Sequence, residues 1–315
     1  QYYRYRSAPM TTISNLPLAE MAALTAAALW ALTGLITQPI VHHFGATATN
    51  RYRSTMAGAT LIVITTLFGL WHTLSPSSMW LLVLSGFIGI FIGDTALMQA
   101  LKRMGPRRNA VVFATNAPIA AGMGYIWLGE TLSPITLLGC ALVIAGVMIA
   151  IWWGNRPKSA DGEHSMERVS GRLWVGVGLG LLAATGQAGG AIVAKPALLD
   201  GADPIAASAI RVGFAAVCMW GLHTLPISWS KAKNPMTGQW AMRSFVSANL
   251  GLVIGMTLLV YALKGGDVGL VTTLSATSPI LILPLLWIIT GQRPNAYAWL
   301  GSFSVAIGCG IIFML

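Results

Sequence analysis

The chain has 315 residues, 55% of them hydrophobic and 9% charged, where soluble globular domains carry roughly 25% charged residues. With a mean hydropathy of +0.70 and 35 glycines, this composition excludes a soluble fold, a disordered chain, a collagen and a disulfide scaffold, and suits a polytopic helical membrane protein. The net charge of +10 leaves nucleic acid and anionic lipid open as partners until the charges are placed.

A bilayer core about 30 Å thick takes about 20 apolar residues per helix. The spans predicted on that basis run over residues 17–40, 54–72, 79–101, 109–128, 132–153, 173–195, 203–225, 241–263, 268–290 and 296–315, ten in all. Turn chemistry separates them at Ser75-Pro76-Ser77, Met104-Gly105-Pro106, Ser133-Pro134, Asp203-Pro204, Gly265-Gly266-Asp267 and Arg293-Pro294-Asn295. His42 and His43 are expected in the first loop. The one long polar stretch divides the chain into an N-terminal extension 1–16, a first half 17–153, a linker 154–171 and a second half 172–315. Cys140, Cys218 and Cys309 lie in apolar runs without metal or redox spacing, and no cofactor or metal is called for.

The halves match each other at a constant offset of 162 residues. Gly93-Asp94-Thr95 through Ala100-Leu101-Lys102 lies over Gly255-Met256-Thr257 through Ala262-Leu263-Lys264, and the register continues through Ala114-Thr115 over Ala276-Thr277 to Gly146 over Gly308. Before the third span the offset is slightly shorter, placing Arg53 over Arg211 and Gln187 at the counterpart of Trp30. Five spans per half put the second half into the membrane upside down. The expected fold is therefore all-α, ten transmembrane helices as two inverted five-helix repeats, an architecture associated with alternating access. Basic residues collect in and beside the loops after helices 1, 3, 5, 7 and 9, so positive-inside counting puts those loops in the cytoplasm and both termini outside. This distribution accounts for the net charge without nucleic acid.

The pattern Ala28-Leu29-Trp30, Arg53, Gly93-Asp94 to Ala100-Leu101, Asn116-Ala117-Pro118, Leu128-Gly129-Glu130 and Leu138-Gly139 to Ala145-Gly146, echoed by Ser278-Pro279, Gly291 and Gly301, resembles the drug/metabolite transporter superfamily, specifically its ten-helix EamA-type members. The second half departs from the pattern with Gly291-Gln292 where Gly-Glu is common. The resemblance implies a multi-pass protein of a bacterial-type inner membrane. It also implies secondary transport, often export, of amino acids or other small metabolites held between the halves; monomer and homodimer are both open.

Asp94 is the sharpest residue, because a charged Asp mid-helix costs roughly 2.5–3.5 kcal/mol on insertion scales. It is read either as a coupling carboxylate that takes up and releases a proton or as a packing acid, and Met256 at its counterpart shows that the repeat itself needs no acid there. Arg53 and Arg211 open helices 2 and 7, to bind a substrate carboxylate or, as the sequence favours, to snorkel to lipid phosphate. Polar residues gather on the Pro-containing helices 4 and 9: Thr115 and Asn116 before Pro118, Thr277 and Ser278 before Pro279. Trp30 and Thr33 share a face of helix 1, and Gln99, Gln187 and Tyr261 complete the substrate-site candidates. Glu130 is read as a structural acceptor. The small residues Gly139, Gly146, Gly301 and Gly308 suit close packing, within the bundle or across a dimer. No HExxH, GxSxG or Cys/His cluster points to an enzyme. A channel, a membrane enzyme and a proton-coupled lipophilic-cation pump stand behind the metabolite carrier.

Overall fold

The computed structural model describes residues 18–128, 133–153, 169–265, 271, 274–291 and 293–313. The extension 1–16, linker positions 154–168, Glu130, Thr272, Thr273 and Gln292 lie outside the described residues.

All regular structure among the described residues is helical. Helix α1 (Leu18–Phe44) passes into α2 (Ala46–Leu67) through Gly45 alone, whose φ of 89° costs a glycine little. α3 (Pro76–Gly86) runs through a π-helical segment (Phe87–Asp94) into α4 (Thr95–Phe113), which Gly105, at φ 79°, breaks ahead of Pro106. After α5 (Asn116–Leu128) and α6 (Pro134–Trp152), the long α7 (Leu173–Leu199) and α8 (Pro204–Thr224) lead to α9 (Gly238–Ala248), a second π-helical segment (Asn249–Gly255) and α10 (Met256–Gly265). α11 (Ser278–Thr290) and α12 (Ala296–Phe313) follow.

Among the described residues, six helical stretches are long and apolar enough to cross a bilayer, and α11 and α12 are shorter apolar helices. Large apolar side chains point outward along the bundle, among them Trp80, Ile126, Trp174, Val217 and Ile288, as a lipid-facing surface requires. Three helices start where the turn chemistry predicts. Ser75, Ser133 and Asp203 cap α3, α6 and α8 by accepting from backbone N–H groups within three residues, and a proline follows each cap.

The glycines of the last helix in each half pack inside this chain. The Cβ of an alanine at Gly139 would lie 2.7 Å from Gly308 O, and one at Gly146 would lie 2.7 Å from Gly301 O, so α6 and α12 touch backbone to backbone along a row of small residues.

Local boundaries shift with consequences. α1 continues through Gln38-Pro39 to Phe44, so His42 and His43 occupy its last turn instead of a loop. α2 begins at Ala46, eight residues before the expected span, which draws Arg51 and Arg53 into the helix. Both are buried, as are Arg107 and Arg108 beyond the Gly105 break. These four arginines therefore drop out of the loop-charge count. Lys102, Arg103, Arg172, Lys231, Lys233, Arg243 and Arg293 remain in or beside the connections after expected helices 1, 3, 5, 7 and 9 among the described residues, against Lys195 and Lys264 for the others.

Candidate functional site

A cavity of about 100 Å³ lies in the middle of the bundle, walled by α1, α2, α4, α7, α10, α11 and both π-helical segments. One water needs roughly 10–15 Å³ by this measure, so the space takes several waters or a small molecule. Its polar lining is Trp30, Thr33, Thr37, Arg53, Asp94, Asn109, Gln187 and Ser278. The rest is apolar or small, including Leu97, Met98, Leu101, Gly251 and Met256.

Helical periodicity explains why these side chains converge. Asp94, Leu97, Met98 and Leu101 stand at i, i+3, i+4 and i+7 and form one stripe, while Trp30, Thr33 and Thr37 form another on α1. Asp94 is the last residue of the first π-helical segment, a wide-turn geometry common at functional sites because it leaves carbonyls out of the regular ladder. In the second π-helical segment Gly251 O accepts a hydrogen bond from Trp30 Nε1 at 3.1 Å, which fixes the indole at the cavity wall. Thr37 and Ser247 join their hydroxyls at 2.6 Å nearby.

Two glycine pairs let the helices approach. A Cβ at Gly251 would meet Arg53 Nη2 at 2.9 Å, and one at Gly255 would meet Trp30 Nε1 at 2.9 Å. The positions 162 residues earlier are Gly89 and Gly93. A Cβ at Gly89 would lie 3.5 Å from Arg211 Nη2, and Gly93 faces Gly186 on α7. Each arginine thus lies over the π-helical segment of the other half.

The interfacial anchoring expected of Arg53 and Arg211 does not occur. Arg53 is 5% exposed and Arg211 1% exposed, both too deep to reach lipid phosphate. Arg53 Nη1 lies 3.5 Å from Met98 Sδ and Arg211 Nη1 lies 3.6 Å from Met256 Sδ, weak acceptors for a guanidinium. Both charges act on Asp94, although no ion pair within 4.0 Å joins it to either arginine. Two buried cations thus face one buried carboxylate. Arg53 Nε, Arg211 Nε and Asn109 Oδ1 are buried without a partner among the described residues. Such groups are costly to leave unmet, and they give the site unspent hydrogen-bonding capacity toward a ligand.

Of the residues singled out from the sequence, Trp30, Thr33, Asp94, Gln187 and Ser278 meet at this cavity. Arg211 stands behind Asp94 against Gly89. Asn116 shares with Gln187 and Ser275 a smaller space of about 20 Å³ next to it. Thr115 and Thr277 spend their hydroxyls on the carbonyls of Val112 and Leu274, each at 2.7 Å, and so hold the matching breaks ahead of α5 and α11. Gln99 turns away to the far side of α4, where its side chain donates to Thr47 Oγ1 at 3.4 Å, and Tyr261 is 44% exposed on the outer surface of α10. Neither lines the cavity. Arg53, for which the sequence favoured lipid anchoring over carboxylate binding, lines the cavity together with Asn109, and Gly251, which packs under Arg53, was not singled out. The legible signal was the i, i+4 glycine pair repeated at the offset of 162, since small residues one turn apart mark close helix approach.

A solved crystal structure, described simply as "Crystal structure of protein", superposes with a TM-score of 0.70 at 18% identity, covering 94% of this chain and 96% of that one, and shows the same fold. No curated protein matches the chain in sequence. The EamA-like transporter family matches twice, over residues 17–152 and 174–314. Matched over nearly its whole length, with an all-helical bundle around a charged central cavity, the chain belongs to the EamA-like transporter family and is a multi-pass membrane transporter of small molecules.

Proposed function

We propose that this transporter carries amino acids or closely related zwitterions, most readily outward across the cytoplasmic membrane, by alternating access of two inverted five-helix repeats around the central cavity. The observation that carries this reading is the meeting of a carboxylate (Asp94), a guanidinium (Arg53) and an indole (Trp30) on one wall set. A zwitterion presents an ammonium to the first and a carboxylate to the second, and the guanidinium fork matches a carboxylate in bidentate geometry. Trp30, Met98 and Leu101 form an apolar flank for the side chain of the cargo.

Asp94 is also the residue that couples transport to protons. An ammonium and a proton compete for the same carboxylate, so protonation from one side releases the cargo. The match of the two π-helical segments and of the threonine-held breaks before α5 and α11 supports a pair of repeats that exchange roles. Each pair is a local irregularity set in the same register of its half.

The test is counterflow in proteoliposomes. Labelled L-amino acid should exchange with trapped unlabelled L-amino acid saturably and with stereochemical preference, and Arg53→Gln should abolish the exchange. Linear, non-saturating flux would indicate a channel and overturn the carrier reading. Exchange confined to lipophilic cations would overturn the zwitterion reading, and Arg53 beside Asp94 argues against that outcome because a cation would have to sit next to a guanidinium.

A further inference from the structure

We propose a second site: a lateral cleft between α4, α7 and the α8–α9 connection that binds the headgroup of an acidic phospholipid. The cleft encloses about 730 Å³ and shares no lining residue with the central cavity. The two spaces use opposite faces of α4, the central cavity taking Leu97, Met98 and Leu101 and the cleft taking Thr95, Gln99, Lys102 and Arg103.

The cleft is built of two unlike parts. At its basic end Lys102 and Arg103 from α4 face Lys231 and Lys233 from the α8–α9 connection. Lys102 and Lys233 come into side-chain contact, and the charges of both reach His42. No carboxylate lines the cleft among the described residues. Four converging cations without a counter-charge repel one another unless an anion sits among them. The remaining wall is apolar, and Ile92, Val175 and Leu182 on it are 36%, 44% and 47% exposed on the outer surface of the bundle. Trp229 stands at the same end, 55% exposed, as an interfacial aromatic does.

The chemistry required is a phosphate oxyanion. A basic pocket between helices that opens onto an apolar, outward-facing wall selects a phosphate that carries acyl chains over free phosphate. Gln99, a substrate candidate from the sequence, becomes a headgroup ligand instead.

Thermal unfolding of the full chain in neutral detergent tests this, with phosphatidylglycerol, phosphatidylcholine of the same acyl chains, and inorganic phosphate as separate probes. Phosphatidylglycerol should stabilise at concentrations where phosphatidylcholine and phosphate do not. Lys102→Gln with Lys233→Gln should raise the half-saturating phosphatidylglycerol concentration by on the order of tenfold, while Lys102→Arg with Lys233→Arg should preserve it. Leu179 also lines the apolar wall; Leu179→Trp narrows it without changing charge and should weaken the lipid response by itself, so the proposal stays testable if the glutamine variant fails to fold. Equal stabilisation by phosphatidylcholine or by phosphate alone would overturn the assignment. An unchanged phosphatidylglycerol response in both the glutamine and tryptophan variants would do the same.

Discussion

The two arginines at the centre of the bundle have similar settings and unequal company. Arg53 lies over Gly251 in the second π-helical segment, and Arg211 lies over Gly89 in the first. Both are buried and both touch a methionine sulfur. Around that shared frame the side chains diverge: Asp94 answers to Met256 across the offset of 162, and Trp30 answers to Gln187. Arginine, glycine and wide helical turn recur in both halves, whereas the carboxylate and the indole occur in one only, and the proposed function gives these two to the cargo. Arg53 lines the central cavity and Arg211 does not, so the proposed function puts the cargo on the Arg53 side.

The sharpest way to break this comparison is to remove its one acid. Asp94→Asn should eliminate proton-driven flux in proteoliposomes while the protein remains monodisperse in detergent, and Met256→Leu at the counterpart should leave flux near wild type. A driven flux that survives Asp94→Asn would return Asp94 to packing.

Next in size is the close approach of α3 to α8. Gly86 lies against the backbone of Arg211, where a Cβ has no room, whereas the position 162 residues on is Ala248, fully buried and accommodated. Backbone cannot swing aside as a side chain can, so Gly86→Ala should destabilise the protein by about 1–3 kcal/mol, the cost of overpacking. A thermal melt of the variant reads this directly.

The glycines under the arginines should respond differently from Gly86 and from each other. At Gly251 the obstacle is the mobile end of Arg53, so Gly251→Ala should shift the guanidinium and weaken ligand binding by about tenfold, or about 1.4 kcal/mol, with little change in melting temperature. Gly89→Ala meets Arg211 only at ordinary contact distance and should be neutral or stabilising by up to about 1 kcal/mol. Trp30→Phe, which removes the bond to Gly251 O, should cost about 1 kcal/mol in ligand affinity. Titrations of the three variants with the cargo would rank them.

The smallest effect concerns an acid at the rim. Asp200 follows α7 and accepts from the hydroxyls of Ser78 and Ser75 at 2.8 and 2.9 Å, which holds its carboxyl below the usual value of 3.8. A depressed carboxyl stabilises the fold above its unfolded value, and that contribution is lost as pH falls through the folded one. The melting temperature of wild type should therefore exceed that of Asp200→Asn slightly at neutral pH, and the gap should close on acidification below 3.8. A gap that persists there would assign the difference to the hydrogen bonds instead of the charge.

Much of the architecture was legible locally. Hydropathy and length mark the class, and Ser75-Pro76, Ser133-Pro134 and Asp203-Pro204 start helices where cap-plus-proline chemistry says they should. The internal offset aligned the two regions that prove π-helical without signalling the wide turn itself, and Asp94 stood out because a mid-membrane acid demands a partner or a purpose. Other features were illegible for a specific reason. An arginine seven residues into α2 reads the same whether it snorkels or is buried, because the difference lies in which neighbours cover it. Gln99 and Leu101 are two residues apart on one helix and face different spaces, and only the position of α7 and α11 around α4 decides which is which.

The sequence by itself determined that this is a membrane protein with the helical starts, breaks and paired glycines of an EamA-like chain, because hydropathy, capping and close packing depend on residues near one another in the chain. Tertiary structure alone decided that Arg53 and Asp94 share a cavity, that Tyr261 faces outward, that the glycines of α6 meet those of α12, and that four basic residues converge on a lateral cleft. Those outcomes depend on helix rotation and depth, and both are set by packing against helices more than two hundred residues away, as Trp30 and Gly251 are.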